Sequence, residues 1–517
     1  MAFTRNVNWD EFYFLSHIHA HLDGRLDRPL QTVFVHAFGW LAHVSDHEVD
    51  QITVARLTMT ALLGGTTFAI FYIASAVTEN RTAASVATIA FLTSGFVLPH
   101  GASFRADPIA AAGLMAALAI MMTGRIGAWQ ILTIAALSAL SLLVTVKAAL
   151  YLPAYLAALL WRADDPRIVL RICFSGLLAL ALAGALFSLH STSIAPAPGA
   201  EASTNMSDAL NTALLETRPF PRAHEAILWA ALSFPALLLA GTGLVSPMTA
   251  RKRIVLVGLA LPLLFSVVFY RNAFPYFFPF IVPPLMIVVA IGAARVRQKN
   301  VLGILVVTML GTGAWQAIKA LSEDSQLQRE TIAEVHRLFP EPVAYIDHNA
   351  MISSFPRSLF FMSTWGVESY RKAGRPVIAG YIARDAPPFL LANRWALQFA
   401  MMAPDAEDSR LMLLPEDRRV LRDTYVHYSG AIWLAGKDAV LDSGETRVEL
   451  TIPGRYRLES PVTISIDGEE VTPNEVIDVV DEVLVRGPEN TPIRLVWDTG
   501  QPPRPNALPQ GALYAGF

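Results

Sequence analysis

Two adjacent acids, Asp10 and Glu11, follow Asn8 and Trp9 near the amino end of the chain, and an Arg28-Pro29-Leu30 turn comes shortly after them. A carboxylate held against an acceptor hydroxyl can take its proton as that oxygen attacks, provided its geometry and pKa suit, so the pair is a candidate general base. The plainer reading is a solvated helix start, where negative charge complements the helix dipole. A third acid, Asp107, stands in Phe104-Arg105-Ala106-Asp107-Pro108 at the head of a long apolar run. There it can serve as a helix cap with proline at the first helical position. It is also a candidate site residue, because a charge beside such a run usually has a function.

Four cations accompany these acids: Arg28, Arg105, Lys147 and Arg271. Arginine offers a fork that binds phosphate oxygens in pairs and lysine a point charge, so together they could hold a phosphate-bearing lipid. Their alternative is to snorkel toward lipid headgroups. His17 and His21 have the four-residue spacing of helical zinc ligands, with His19 between them, but no supporting motif surrounds them. Asp10 and Asp107 make a better candidate pair for one divalent cation, since oxygen donors suit magnesium, manganese or calcium. No other cofactor is expected. The run Tyr270-Arg271-Asn272-Ala273-Phe274-Pro275-Tyr276 continues into Pro279, Pro283 and Pro284. Aromatics collect at membrane interfaces, and prolines that break helix are tolerated where backbone lines a cavity, so a lipid groove is expected here.

The elements that must position these groups follow from composition. Of 517 residues 53% are hydrophobic and 16% charged, and the mean hydropathy is +0.42, too apolar for an ordinary soluble domain. The chain therefore reads as an integral membrane protein, with the lipid bilayer as its first partner. A net charge of -3 gives no basis for nucleic-acid binding. The one cysteine, Cys173, lies within an apolar stretch and reads as packing.

An amphipathic helix is expected from Asn8 to Leu26, lying in the interface, with Phe12, Leu15, Ile18 and Leu22 at helical spacing and Gly24 at its end. No apolar segment precedes Asn8, so an outside first loop requires either unaided translocation of the amino terminus or a further helix before it. Ten spans of bilayer length are expected, over residues 52–77, 83–99, 108–122, 128–146, 148–161, 169–189, 226–245, 254–270, 274–293 and 301–318. One set of alternate loops carries Arg81, Arg125, Arg162, Arg167, Arg171, Arg251, Lys252, Arg253, Arg295, Arg297 and Lys299. The opposite set carries Arg105, Lys147, Arg218, Arg222 and Arg271. The first set belongs in the cytoplasm, which puts Asp10, Glu11, Arg105, Asp107 and everything after Lys319 outside.

Five regions follow. Residues 1–48 form a first outer loop with interfacial helices, 49–320 a transmembrane domain, 321–440 an extracytoplasmic α/β domain, 441–500 a β-appendage, and 501–517 a flexible tail. In the α/β part a helix is expected over 326–338 and strands over 343–346 and 376–381; the appendage offers strands at 446–452, 462–466, 482–485 and 493–497. The expected fold is thus an α-helical polytopic membrane protein with a carboxy-terminal extracytoplasmic α/β plus all-β domain.

Taken in order, these features resemble the GT-C superfamily of polyprenyl-phosphate-sugar glycosyltransferases, near the protein mannosyltransferase and lipid A aminoarabinose transferase relatives. The matching features are Trp9-Asp10-Glu11 in a first outer loop, Asp23-Gly24-Arg25-Leu26 with Arg28-Pro29-Leu30, Arg105-Ala106-Asp107-Pro108 in a second, Lys147 at a helix mouth, and Arg271 with Tyr276 ahead of Pro283-Pro284-Leu285. The resemblance implies Asp10 as base and Asp107 as a second acid that helps hold a metal, with Arg28, Lys147 and Arg271 on the donor phosphate. It implies a polyprenyl-phosphate sugar donor, a cell-envelope acceptor and a place in the bacterial inner membrane, the site facing the periplasm. A polyprenyl phosphate leaves as an anion without a general acid, and one base suffices for inverting displacement.

Two other classes of function compete with transfer. A flippase or transporter of lipid-linked sugars would rely on charges in mid-helix, and Arg56 alone comes near that description. A non-catalytic scaffold would use only the outer domain, to hold glycan.

Overall fold

The computed structural model describes residues 3–194, 219–403, 409–502, 504 and 506–514. Helix α1 (Trp9–Leu22) starts in a capping box: the Asn8 side chain accepts from the Asp10 amide, and Glu11 accepts from the Asn8 amide, each at 3.0 Å. It ends where Gly24 takes a left-handed φ of 67°. Two short turns follow, α2 (Val35–Phe38) and a 3-10 turn at Gly39–His43.

Next come α3 (Glu48–Thr78), α4 (Arg81–Thr93), α5 (Val97–His100), α6 (Ala106–Thr123), α7 (Ala128–Val144), α8 (Leu152–Trp161) and α9 (Pro166–Thr192). Among the described residues five helices are long and apolar enough to cross a membrane: α3, α6, α9, Ala250–Phe269 and the helix starting at Lys299. Two bent pairs raise that number to seven, Ala223–Leu232 with Phe234–Val245 at 85° and Pro275–Ile281 with Pro283–Arg295 at 63°. The spans expected at 83–99, 128–146 and 148–161 correspond to shorter apolar helices: α4, α7 and the Val146–Trp161 segment that contains α8. Helix α4 stops after 13 residues because Phe96 turns left-handed at φ 74°, and 13 residues rise only about 20 Å. The bends fall at Pro235 and at Pro283-Pro284, where proline removes an amide and restricts the residue before it. Cys173 lies exposed on α9 instead of in packing.

The Phe234–Val245 and Pro283–Arg295 helices touch backbone to backbone. A methyl group at Gly292 would meet the Leu239 carbonyl, and one at Gly243 the Val288 carbonyl, so glycine at both positions permits the approach.

One end of this bundle is covered by α1 and the carboxy-terminal region. The apolar face of α1 does not lie against lipid: Phe12, Leu15 and Ile18 are fully buried, in one cluster with Ile332, Tyr345, Phe389 and Tyr514. Polar ties fasten the same end. Gln328 exchanges hydrogen bonds with the Val7 backbone at 2.8 and 2.7 Å, and Glu48 takes bonds from His336 and Ser354. Arg329 pairs with Asp50 at 2.7 Å, and the Ser353 hydroxyl donates to the Phe12 carbonyl.

In the carboxy-terminal region the helix Gln326–Leu338 is followed by parallel strands in the order β2 (Arg357–Ser358), β1 (Tyr345–Ile346), β3 (Phe389–Leu391). Residues 376–381 are not a strand. Ile378–Asp385 is a helix, its first amides held by Asp417, and its Ile378 and Ile382 face the core one turn apart. Strand β5 (Ile432–Leu441) pairs with β3 on one side and β12 (Thr491–Trp497) on the other, so one sheet runs across the α/β and all-β parts. Strand β4 (Tyr425–Ser429) forms a hairpin with β5 through Gly430 at φ 56°. Beyond β12 come β7 (Gly454–Glu459) and β10 (Val476–Val479). A second sheet has the order β6 (Glu445–Glu449), β11 (Glu482–Arg486), β8 (Ile464–Ile466), β9 (Glu469–Val471).

The tail is not loose where it is described. Leu508, Leu513 and Tyr514 are buried, and the Leu508 amide donates to the Ser429 hydroxyl at 2.7 Å.

Candidate active site

Adjacent helical residues point about 100° apart, and this separates the two acids of α1. Glu11 faces inward and is fully buried. Its carboxylate accepts from Arg56 (Nε 2.8 Å, a terminal nitrogen 2.6 Å), from the Phe104 amide (2.8 Å) and from the Asn8 amide (3.0 Å). Arg56 spends its other donors on the carbonyls of Arg5 and Asn6. Burial pushes the Glu11 carboxyl up, but the Arg56 charge and these hydrogen bonds outweigh it and hold the group below its usual range. Glu11 thus ties α1 to α3 and to the loop before α6.

Asp10 points the other way, into a chain of alternating charges. Its carboxylate pairs with Arg105; Arg105 Nε lies 3.6 Å from Asp107, and Asp107 pairs in turn with Lys147. Arg105 occupies the extended position just before α6 (φ -149°, ψ 166°), which turns its side chain back over the loop. Asp107 is not the cap of α6 but lies inside its first turn, where the helix dipole favours an anion. Lys147 comes from a 3-10 turn, Val146–Tyr151, whose first amides are held by Thr145. Tyr276 closes the group, its ring centre 3.5 Å from the Arg105 guanidinium carbon and 5.9 Å from the Lys147 nitrogen.

Asp10 and Arg105 are each 6% exposed and Asp107 2%. Burial raises the Asp10 carboxyl above its usual range, and the Arg105 charge counters this only in part. A raised carboxylate is a stronger base, and cations so poorly hydrated bind an incoming phosphate more strongly than exposed ones.

The four expected cations divide into two pairs. Arg105 and Lys147 meet at the two acids. Arg28 lies at the surface on the Tyr13 hydroxyl (2.7 Å), and Arg271 pairs with Glu368 at 3.2 Å. Neither joins the charge chain. Arg218 falls outside the described residues. At the expected cation pair Asp10 and Asp107, the Arg105 guanidinium stands between the acids and Lys147 takes the far side of Asp107; no group of three or more histidine, cysteine or acidic residues able to hold a metal is found among the described residues. His19 instead bonds Gln51 at 2.9 Å, and His21 packs edge-on to His36, which bonds His190 at 2.8 Å.

From sequence, Arg56 was noticed without its role, and Arg394 was missed. Arg56 carried a signal, as a charge inside an apolar run. Arg394, whose guanidinium lies 5.8 Å from both the Trp9 and Tyr514 rings, carried none, since it stands far off in the chain.

No family model and no curated protein matches the sequence. Among solved structures, ArnT from Cupriavidus metallidurans bound to undecaprenyl phosphate superposes with a TM-score of 0.54 over 78% of this chain and 92% of that one, at 13% identity. The fold is GT-C. Archaeoglobus fulgidus AglB, an oligosaccharyltransferase in complex with an inhibitory peptide and a dolichol-phosphate, gives 0.46 at 11% identity over 92% and 72% of the two chains. The same organism's oligosaccharyltransferase with Zn and sulfate gives 0.43 at 11% identity over 92% and 71%. The GT-C fold accounts for the architecture seen here: a polytopic helical bundle, with α1 and the loop before α6 on one end beneath a carboxy-terminal α/β and β region.

Proposed function

We propose that this chain is a membrane glycosyltransferase that moves a sugar from a polyprenyl-phosphate donor to a cell-envelope glycan, lipid or protein, with inversion. The observation that carries this reading is the bridge of Arg105 between Asp10 and Asp107, acids from two separate elements at one end of the bundle. The GT-C fold supports it, as does the undecaprenyl phosphate bound by ArnT.

In this reading the donor phosphate draws Arg105 and Lys147 away from the acids, and Asp10 is freed as base. Asp10 takes the proton of the acceptor hydroxyl while that oxygen attacks the anomeric carbon. The bond from that carbon to phosphate oxygen breaks, and the lipid phosphate leaves as an anion stabilised by Arg105 and Lys147. Asp107 is a positioning residue that keeps Lys147 in place, and Glu11 one that fixes the start of α1. Stabilisation of the leaving group is assigned to these cations.

The membrane is the bacterial inner membrane and the site faces the periplasm, since the arginine-rich loops at the other end belong inside. Residues 49–320 hold the lipid and 321–500 meet the acceptor.

The test is a reconstituted assay. Protein in lipid vesicles is given a radiolabelled undecaprenyl-phosphate pentose or hexose and a cell-envelope fraction. Asp10→Asn should abolish transfer of label and leave undecaprenyl phosphate binding unchanged. Transfer at the unsubstituted rate by that variant overturns the reading.

A further inference from the structure

A second cluster of guanidinium groups opens on the same side of the molecule, outside the charge chain. A cavity of about 370 Å³ is lined by Arg25, Arg357, Ser358, Arg384 and Asp385. Three elements build it: the turn after α1 supplies Arg25, the edge strand β2 supplies Arg357 and Ser358, and the last turn of the Ile378–Asp385 helix supplies Arg384 and Asp385.

Two of the three guanidinium groups have an ion-pair partner beside them. Arg384 is matched by Asp385, at 2.6 and 2.7 Å, and Arg25 by Asp23. Arg357 is different. Half-buried, it donates to the main-chain carbonyls of His348 and Phe360, both at 3.4 Å; the buried Asp347 carboxylate feels its charge, but among the described residues no carboxylate forms a direct ion pair with it. Those are long bonds for a group with five donors, so its fork retains donors for an oxyanion. An arginine fork in a recess matches a carboxylate or phosphate in shape as well as charge.

A row of rings connects this recess with Asp10. The Arg357 guanidinium lies 5.9 Å from the Phe361 ring; Phe361 stacks on Tyr13 at 4.1 Å and lies 5.9 Å from Trp9. Trp9 precedes Asp10 on α1, and Tyr13 lies one turn beyond it on the same side. Aromatic faces suit the C–H faces of sugar rings.

We propose that the arginine cavity binds an acidic group, a carboxylate or a phosphate, on the acceptor glycan, and that Phe361, Tyr13 and Trp9 support the sugars between that group and Asp10. The acceptor class is therefore an anionic saccharide. This inference rests on the transferase reading for the word acceptor, but the binding it requires does not depend on turnover.

The experiment is calorimetric titration of the full chain in lipid nanodiscs at low salt with three probes: an oligogalacturonate, a phosphorylated oligomannose of similar length, and neutral maltohexaose. At least one acidic probe should bind roughly tenfold or more tightly than maltohexaose, and Arg357→Gln should remove that preference. Which acidic probe wins distinguishes carboxylate from phosphate. Because Arg357 is half-buried, the surface double variant Arg25→Gln/Arg384→Gln is titrated beside it and should weaken the same probe roughly threefold or more. Added salt should weaken the acidic probe and not the neutral one. Equal affinity for all three probes, or an acidic preference that survives in well-folded Arg357→Gln, overturns the inference. Asp10→Asn should bind the acidic probe normally, so loss of transfer in that variant and loss of binding in Arg357→Gln report separately on the two proposals.

Discussion

The guanidinium of Arg105 lies 3.5 Å from the centre of the Tyr276 ring while its nitrogens reach both Asp10 and Asp107. The ring fixes the plane of the fork, so the two acids address it along its edge. Removing the ring should release that plane. Tyr276→Phe keeps the aromatic face and should leave the donor KM within about twofold, whereas Tyr276→Ala should raise it by roughly 2- to 30-fold, the range of a cation-π contact. Steady-state kinetics with varied lipid-linked donor check this, and equal KM values for the two variants count against it.

Asp10 is raised from the ordinary value of 3.8 by burial, with Arg105 opposing. As a base it works only when ionised. Activity should therefore fall as pH drops through a value above 3.8, and the acid limb of kcat/KM should be displaced upward from that of a free carboxylate. Substituting Arg105 by Gln removes the opposing charge and should move the limb higher still in whatever activity remains. A limb below pH 3.8, or one unmoved in that variant, speaks against Asp10 as base.

Lys147, half-buried, has the buried Asp107 carboxylate as its partner. Lys147→Met should lower kcat by roughly 10²- to 10³-fold if it stabilises the leaving phosphate. Lys147→Arg keeps the charge and should retain more activity than the Met variant. A single-turnover assay that finds the Arg and Met variants equally slow removes the electrostatic role.

Glu11 and Arg56 form the buried strut. Glu11→Gln leaves Arg56 charged in the interior and should cost about 3–5 kcal/mol, while Glu11→Leu/Arg56→Met should lose less than either single change. The Glu11 carboxyl is held below 4.5, so its stabilisation is complete above that pH and is lost as pH falls through the lower folded value. Thermal unfolding in nanodiscs as a function of pH reads both effects. Unaltered acid sensitivity in the double variant would separate the strut from stability.

The fold and site were legible where local chemistry decides. Helix Gln326–Leu338 was readable to the residue, because its apolar positions recur at helical spacing in a polar background. Residues 376–381 misled, since a short apolar run fits a strand or a helix equally well and the deciding contact, Asp417 on the Val377 and Ile378 amides, comes from forty residues on. The four cations looked alike in sequence. Their separation into Arg105 and Lys147 at the acids, Arg28 on Tyr13 and Arg271 on Glu368 depends on which loops meet. Helix α1 was legible as amphipathic, but an apolar face does not declare whether lipid or protein will cover it.

By itself the sequence determined a membrane bundle with a polar carboxy-terminal region and placed Asp10 and Asp107 at the starts of helices, because hydropathy and helix starts are properties of short segments. Only the tertiary structure decided that Asp10 and not Glu11 joins Arg105 and Asp107. That choice comes from the rotation of α1 once Phe12, Leu15 and Ile18 are packed inward, and rotation of a helix about its axis is set by what it packs against.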